Sequence, residues 1–370
     1  MFTNIQFRNE EMTVYNFCAG PAMLPPEVMK KAQQEFLNWQ NLGVSVMEVS
    51  HRAQPYLEMV KECEASLRRL MNISDEFEVL FMHGGGRGQF AAVPLNLHLD
   101  DAPGVYVENG IWSSGATTEG AKFTEVESIN IRTDVDGQFD IQPVAQWNLP
   151  EKASFIHYCP NETIDGIEIY DVPKHDAPIV ADMSSMILSR EINVDDFDLI
   201  YAGAQKNIGP SGLCIVIVRK TLLKREGLPR PAILDYAIEA KQGSMYNTPP
   251  TFAWYLANEV FQYLESIGGV KAMEAHNKKK AAILYDYIDS SDFYSNKVAT
   301  HCRSLMNVPF WLKDDALNDK FLAEAENAGL LALEGHRFVG GMRASIYNAM
   351  PVEGIEALVA FMDKFAQENS

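Results

Sequence analysis

Between Glu78 and Val218, short apolar runs alternate with stretches of helical spacing. The runs at 78–83, 104–107, 154–158, 178–181, 198–202 and 213–218 are four to six residues long and largely apolar. A strand exposed on one face would alternate apolar with polar residues. Near-continuous runs instead predict strands buried on both faces, hence a mainly parallel sheet with helices on either side. The segment from Gln89, directly after the first run and a glycine-rich turn, reads as the first covering helix.

Beyond Trp254 the pattern changes. Residues 252–267 and 270–288 predict long helices, and 304–311 and 341–346 short strands. A closing helix follows, with Pro351 near its first turn and Val352, Ile355, Val359, Met362 and Phe365 on one helical stripe. This predicts a large α/β domain over 26–268, a smaller α+β domain over 269–370, and an N-terminal segment, 1–25, packing with the smaller domain. Met12 begins the more regular sequence, which marks the first eleven residues as a tag, an upstream start or a frayed extension. They lack the apolar core of a signal peptide.

The chain has 370 residues, 47% of them hydrophobic, which is enough for two cores. Its formal net charge is −19, so neither nucleic acid nor an anionic membrane is an expected partner. Small anionic substrates stay open, because a few cations in one cleft reverse the local field. No apolar run approaches the length of a membrane span. The five cysteines are widely spaced, with no CxxC or HExxH motif. That pattern fits reduced thiols in a cytoplasmic protein and predicts no metal site.

Candidate chemistry collects at the predicted strand ends. His83-Gly-Gly-Gly-Arg-Gly-Gln89 joins a strand to a helix, where backbone amides can approach a phosphate and Arg87 adds charge. It is neither GxGxxG nor a Walker loop, and a plain tight turn explains it equally well when taken alone. Asp182 ends the run Ile179-Val-Ala, at the carboxyl end where ligands bind parallel sheets; a helix N-cap is its bland reading. Lys206 follows the run at 198–202 and is flanked by Gly203, Gly209 and Gly212. A lone loop lysine is usually just solvated. Together, however, an amine, a carboxylate and a phosphate cradle are what pyridoxal phosphate (PLP) chemistry requires. Trp112, beyond Asn109-Gly110, is placed to stack on a flat ring, and Thr163 lies just past another strand.

Seven blocks in order carry a family resemblance: 16–25, 46–52, 83–90, 157–163, 203–209, 247–251 and 335–343. In sequence they read NFCAGPAMLP, VMEVSHR, HGGGRGQF, HYCPNET, GAQKNIG, NTPPT and GHRFVGGMR. They resemble the phosphoserine aminotransferases, a group of class-V aminotransferases among the fold-type I PLP enzymes. The resemblance implies a large domain built on a mainly parallel seven-stranded sheet. It also implies a homodimer with shared active sites. The implied reaction is ping-pong transamination between L-glutamate and 3-phosphohydroxypyruvate, giving O-phospho-L-serine and 2-oxoglutarate for serine biosynthesis. In many bacteria the same enzymes also serve pyridoxine biosynthesis by forming 4-phosphohydroxy-L-threonine.

Carried over position by position, the resemblance implies Lys206 as the Schiff-base lysine and Asp182 as partner of the pyridine nitrogen. Trp112 would stack on the ring and Thr163 bond its phenolic oxygen. Gly86, Arg87 and Gln205 would hold the phosphate, joined by Asn247 and Thr248 of a second subunit. His51, Arg52, His336, Arg337 and Arg343 would bind the substrate's two anionic ends, as guanidinium forks suit carboxylate and phosphate. Cys18-Ala19 departs from the family, which often has a serine there. Chemistry alone leaves alternatives open: a fold-type I enzyme acting on another small amino or keto acid, a nucleotide-binding protein using the 84–88 glycines, or a non-catalytic interaction protein. A desulfurase-like reading needs a reactive loop cysteine, whereas Cys302 precedes a strand and Cys159 follows one.

Overall fold

The structure, a computed structural model, describes residues 13–369. The extension ahead of Met12 therefore lies outside the described residues. In chain order the first elements are β1 (Tyr15–Asn16), α1 (Pro26–Glu35), α2 (Gln54–Met71), β2 (Phe77–His83) and α3 (Gly85–Leu97). Next come β3 (Gly104–Glu108), α4 (Ile111–Gly120), β4 (Val126–Asn130), β5 (Phe155–Tyr158), β6 (Asn161–Glu162) and β7 (Ile167–Glu168). They are followed by β8 (Ile179–Asp182), β9 (Leu199–Gly203), β10 (Leu213–Arg219), α5 (Tyr236–Lys241), α6 (Thr251–Ser266) and α7 (Gly269–Asp289). The last are β11 (Tyr294–Ser295), β12 (Asn307–Leu312), α8 (Asn318–Asn327), β13 (Leu330–Leu331), β14 (Met342–Ser345) and α9 (Val352–Asn369).

Seven strands form one sheet in the order β2-β10-β9-β8-β5-β3-β4. Only β10 runs against its neighbours; the ladders β9–β8, β8–β5, β5–β3 and β3–β4 are all parallel. The α/β fold with a mainly parallel seven-stranded sheet is therefore as expected. Why the runs are continuous is visible in β10. Leu213, Ile215 and Ile217 enter the apolar cluster on one side, with Trp254 and Phe261 of α6. Cys214, Val216 and Val218 enter the cluster on the other, with Phe90 and Val93 of α3. Both faces of a strand are thus buried, and alternation disappears.

The sequence pattern did not mark β4. Its residues, Val-Glu-Ser-Ile-Asn, are half-buried or exposed, as an edge strand permits, so no apolar run identifies them.

A further apolar cluster gathers Leu284 and Ile288 of α7, Phe310 of β12, Phe321 of α8, and Leu358, Met362 and Phe365 of α9. They cover the antiparallel sheet β11-β12-β14. Phe17 joins this cluster, and β1 pairs in parallel with β13, so the N-terminal strand belongs to this layer despite its distance in sequence.

Candidate active site

Strands β2, β3, β5, β8 and β9 all end at the carboxyl edge of the large sheet, where parallel sheets bind their ligands. The loops leaving those ends line a cavity of about 420 Å³. It brings together Gly86, Arg87, Trp112, Thr163, Asp182, Gln205 and Lys206, seven of the positions predicted from the sequence. Ser184 lines it too. It was not predicted, although its place two residues after the strand-end Asp was a readable signal.

Lys206 is 7% exposed, and its Nζ donates to Thr163 Oγ1 at 2.7 Å. The same Nζ lies 5.7 Å from the centre of the Trp112 ring, and Arg87 Cζ lies 5.2 Å from it. Trp112 Nε1 is buried without a hydrogen-bond partner among the described residues. At the cavity floor, Asp182 Oδ1 accepts from Ser184 N at 2.9 Å, and Ser184 Oγ accepts from Gly203 N at 3.0 Å. Burial raises the Asp182 carboxyl above its ordinary range, while the Ser184 bonds and the Lys206 charge pull it back. Behind it, Tyr201 OH sits 2.8 Å from His157 Nε2. Burial pushes His157 down to about 3, so the ring is neutral at physiological pH.

The glycine-rich turn supplies a cradle. Gly84 and Gly85 have φ of 88° and 60°, the left-handed region that glycine enters without penalty. At Gly86 a Cβ would stand 3.1 Å from Ser184 Oγ, so the backbone at the start of α3 lies hard against the cavity wall. Amides at a helix N-terminus beside Arg87 suit a phosphate. A flat face, an orphaned indole N–H, a buried carboxylate and an amine sharing one cavity fit a phosphorylated pyridine aldehyde.

The other predicted positions stand elsewhere. His51 and Thr248 line a separate, open cavity of about 480 Å³, with Arg52 and Asn247 exposed nearby in the chain. His336 and Arg337 sit in the loop before β14, and Arg343 lies on that strand. Burial, then the charges of Arg343 and Arg337, lower the His336 pKa and favour its neutral form, so two guanidinium charges stand beside an uncharged imidazole. Arg343 Nε is buried without a partner among the described residues, and burial lowers the guanidinium's pKa. Within one chain, neither group lines the Lys206 cavity.

Known proteins similar to this chain identify its family. The family model for aminotransferase class-V matches residues 14–358. A phosphoserine aminotransferase of Pseudoalteromonas translucida (strain TAC 125) is 74% identical over 360 residues, covering 97% of this chain and 100% of that protein. The solved phosphoserine aminotransferase of Bacillus circulans subsp. alkalophilus superposes with a TM-score of 0.92 at 40% identity, covering 97% of this chain and 99% of its own. A PLP-bound phosphoserine aminotransferase from Trichomonas vaginalis gives 0.90 at 41%, covering 95% and 100%. On this match and these relatives, the chain belongs to the class-V aminotransferase family.

Proposed function

We propose that this protein is a PLP-dependent phosphoserine aminotransferase, moving an amino group between L-glutamate and 3-phosphohydroxypyruvate. The observation that carries the reading is the Lys206 amine, buried 2.7 Å from Thr163 Oγ1 in the cavity floored by Asp182. Near-full-length identity to phosphoserine aminotransferases supports the substrate pair.

Lys206 would hold the cofactor through its side-chain amine, and the same amine would move the proton at the substrate Cα. When bound, PLP supplies a protonated ring that withdraws electrons from that carbon. Asp182 would keep the ring nitrogen protonated. Trp112 would cover the ring, Thr163 would bond its phenolic oxygen, and Gly86, Arg87 and Gln205 would hold the phosphate end. Arg343, His336 and Arg337 bind substrate anions, with His51 and Arg52.

The second subunit belongs to the same proposal. Asn247 and Thr248 are exposed and away from their own chain's Lys206 cavity, which suits residues that complete a neighbour's site. Leu37, Leu42, Val44 and Met47 are exposed apolar side chains in the segment leading to His51, and Leu37 is 79% exposed. Such a stretch suits burial against a second copy. The domain limits 26–268 and 269–370, with 1–25 joined to the latter, belong to the same reading: Phe17 packs in the smaller domain's apolar cluster, although Val270, Met273, Val298, Ala299 and Cys302 pack in the larger one's. A reducing cytoplasm suits the five free cysteines. Among the described residues, no helix is long and apolar enough to cross a membrane.

The purified protein should be yellow, and L-glutamate alone should bleach its visible band. Lys206→Ala should lose both turnover and the response to glutamate. Near-normal turnover in that variant would contradict the assignment.

A further inference from the structure

We infer that Glu162 is a positioning residue that ties the ring-covering Trp112 to the hairpin carrying Thr163. The inference rests on the cofactor reading above. Helix α4 begins after Gly110, which has no side chain to cap it. The amides of Trp112 and Ser113 are capped from far along the chain instead. Glu162 Oε2 accepts from Trp112 N at 3.1 Å, and Oε1 accepts from Ser113 N at 2.8 Å and from Ser113 Oγ at 2.7 Å. Ser113 Oγ in turn accepts from Asn109 N at 3.0 Å and Gly110 N at 3.1 Å. One carboxylate and one hydroxyl therefore satisfy the amides of 109, 110, 112 and 113, which otherwise lack partners at a helix start.

The slot is shaped for this carboxylate. Glu162 is wholly buried, and a Cβ on Gly110 would stand only 2.6 Å from its Cδ. Position 110 thus admits no side chain while Glu162 keeps its place. On the other side, Glu162 belongs to β6, paired with β7, and the next residue is Thr163, which receives the Lys206 amine. Asn161 braces the same strand by donating to Ser185 Oγ at 2.8 Å and Asn307 Oδ1 at 2.9 Å. Glu162 thus links two cofactor-facing groups that lie far apart in sequence, the Trp112 ring and the Thr163 hydroxyl. A cap serving only helix stability would need no such link.

The test uses Glu162→Gln in the full chain. This change keeps the shape but puts an NH₂ donor where an acceptor meets backbone N–H groups. PLP should bind the apoprotein roughly ten- to a hundred-fold more weakly, the scale of one lost charge-assisted hydrogen bond. The circular-dichroism signal of the visible band should fall by about half or more, because it reports how the ring is held. Ser113→Ala should shift both readouts in the same direction by less, and it carries the test if Glu162→Gln does not fold. A folded Glu162→Gln protein, or failing that a Ser113→Ala protein, with wild-type PLP affinity and signal overturns this inference alone. A wild-type protein that takes up no PLP overturns it together with the cofactor reading.

Discussion

Asp182 shows what one side chain contributes here. Its carboxyl is buried and its pKa raised, and only the Ser184 bonds, Tyr201 and the Lys206 charge favour the ionised form. A carboxylate held this way gains most when a cation approaches it, as a protonated ring nitrogen would. Asp182→Asn keeps the shape but not the charge. It should lower kcat/KM by about a hundred-fold or more while leaving the fold intact, measured by steady-state kinetics alongside thermal melting. Asp182 and Lys206 were legible in the sequence because Asp182 ends one apolar run and Lys206 closely follows another, among glycines. Glu162 was not. Nothing in Asn-Glu-Thr distinguishes a buried cap from a solvated acid, and the two-residue strand it sits on leaves no periodic trace.

At the scale of elements, α7 is held to the end of β14 by a buried amine. Lys280 Nζ donates to the carbonyls of Ile346 at 2.9 Å and Tyr347 at 2.7 Å, and burial takes its pKa down to about 7. An unfolded lysine titrates near 10.4, so between about pH 7 and about 10.4 the unfolded chain binds more protons than the folded one. Lys280 therefore makes stability rise with pH across that window. Lys280→Met should remove this contribution, so that the wild-type Tm gains on the variant's as pH rises from 7 to 10. A difference that stays flat would contradict the buried state of this amine. The periodicity of α7 predicted its existence and face. It did not mark Lys280 as buried, because that depends on two carbonyls supplied from residues far downstream.

At the scale of the whole molecule, the chain presents one cavity with cofactor chemistry and two cationic or polar groups outside it. The α/β architecture was readable because burial on both faces of the sheet writes continuous apolar runs; the polar edge strand β4 escaped for the converse reason. The proposed second subunit rests on indirect marks, the exposed apolar residues before His51 and the exposed Asn247 and Thr248 outside their own chain's cavity. Shared sites make a specific prediction. Lys206→Ala lacks the amine, and an Asn247→Ala/Thr248→Ala variant lacks what it lends its partner. Unfolding and refolding the two together should restore roughly a quarter of wild-type activity, from mixed dimers holding one complete site. No recovery on mixing would contradict a shared site.

The reading as a whole turns on phosphate, since many aminotransferases would accept glutamate. The decisive measurement is the half-reaction in reverse: the yellow protein is mixed with O-phospho-L-serine, or with L-serine at the same concentration, and its visible absorbance followed. Rapid bleaching by O-phospho-L-serine and little by L-serine is the expected result if Arg343, His336 and Arg337 bind the substrate's anionic ends as proposed. Equal bleaching by both, or none by O-phospho-L-serine, would contradict it.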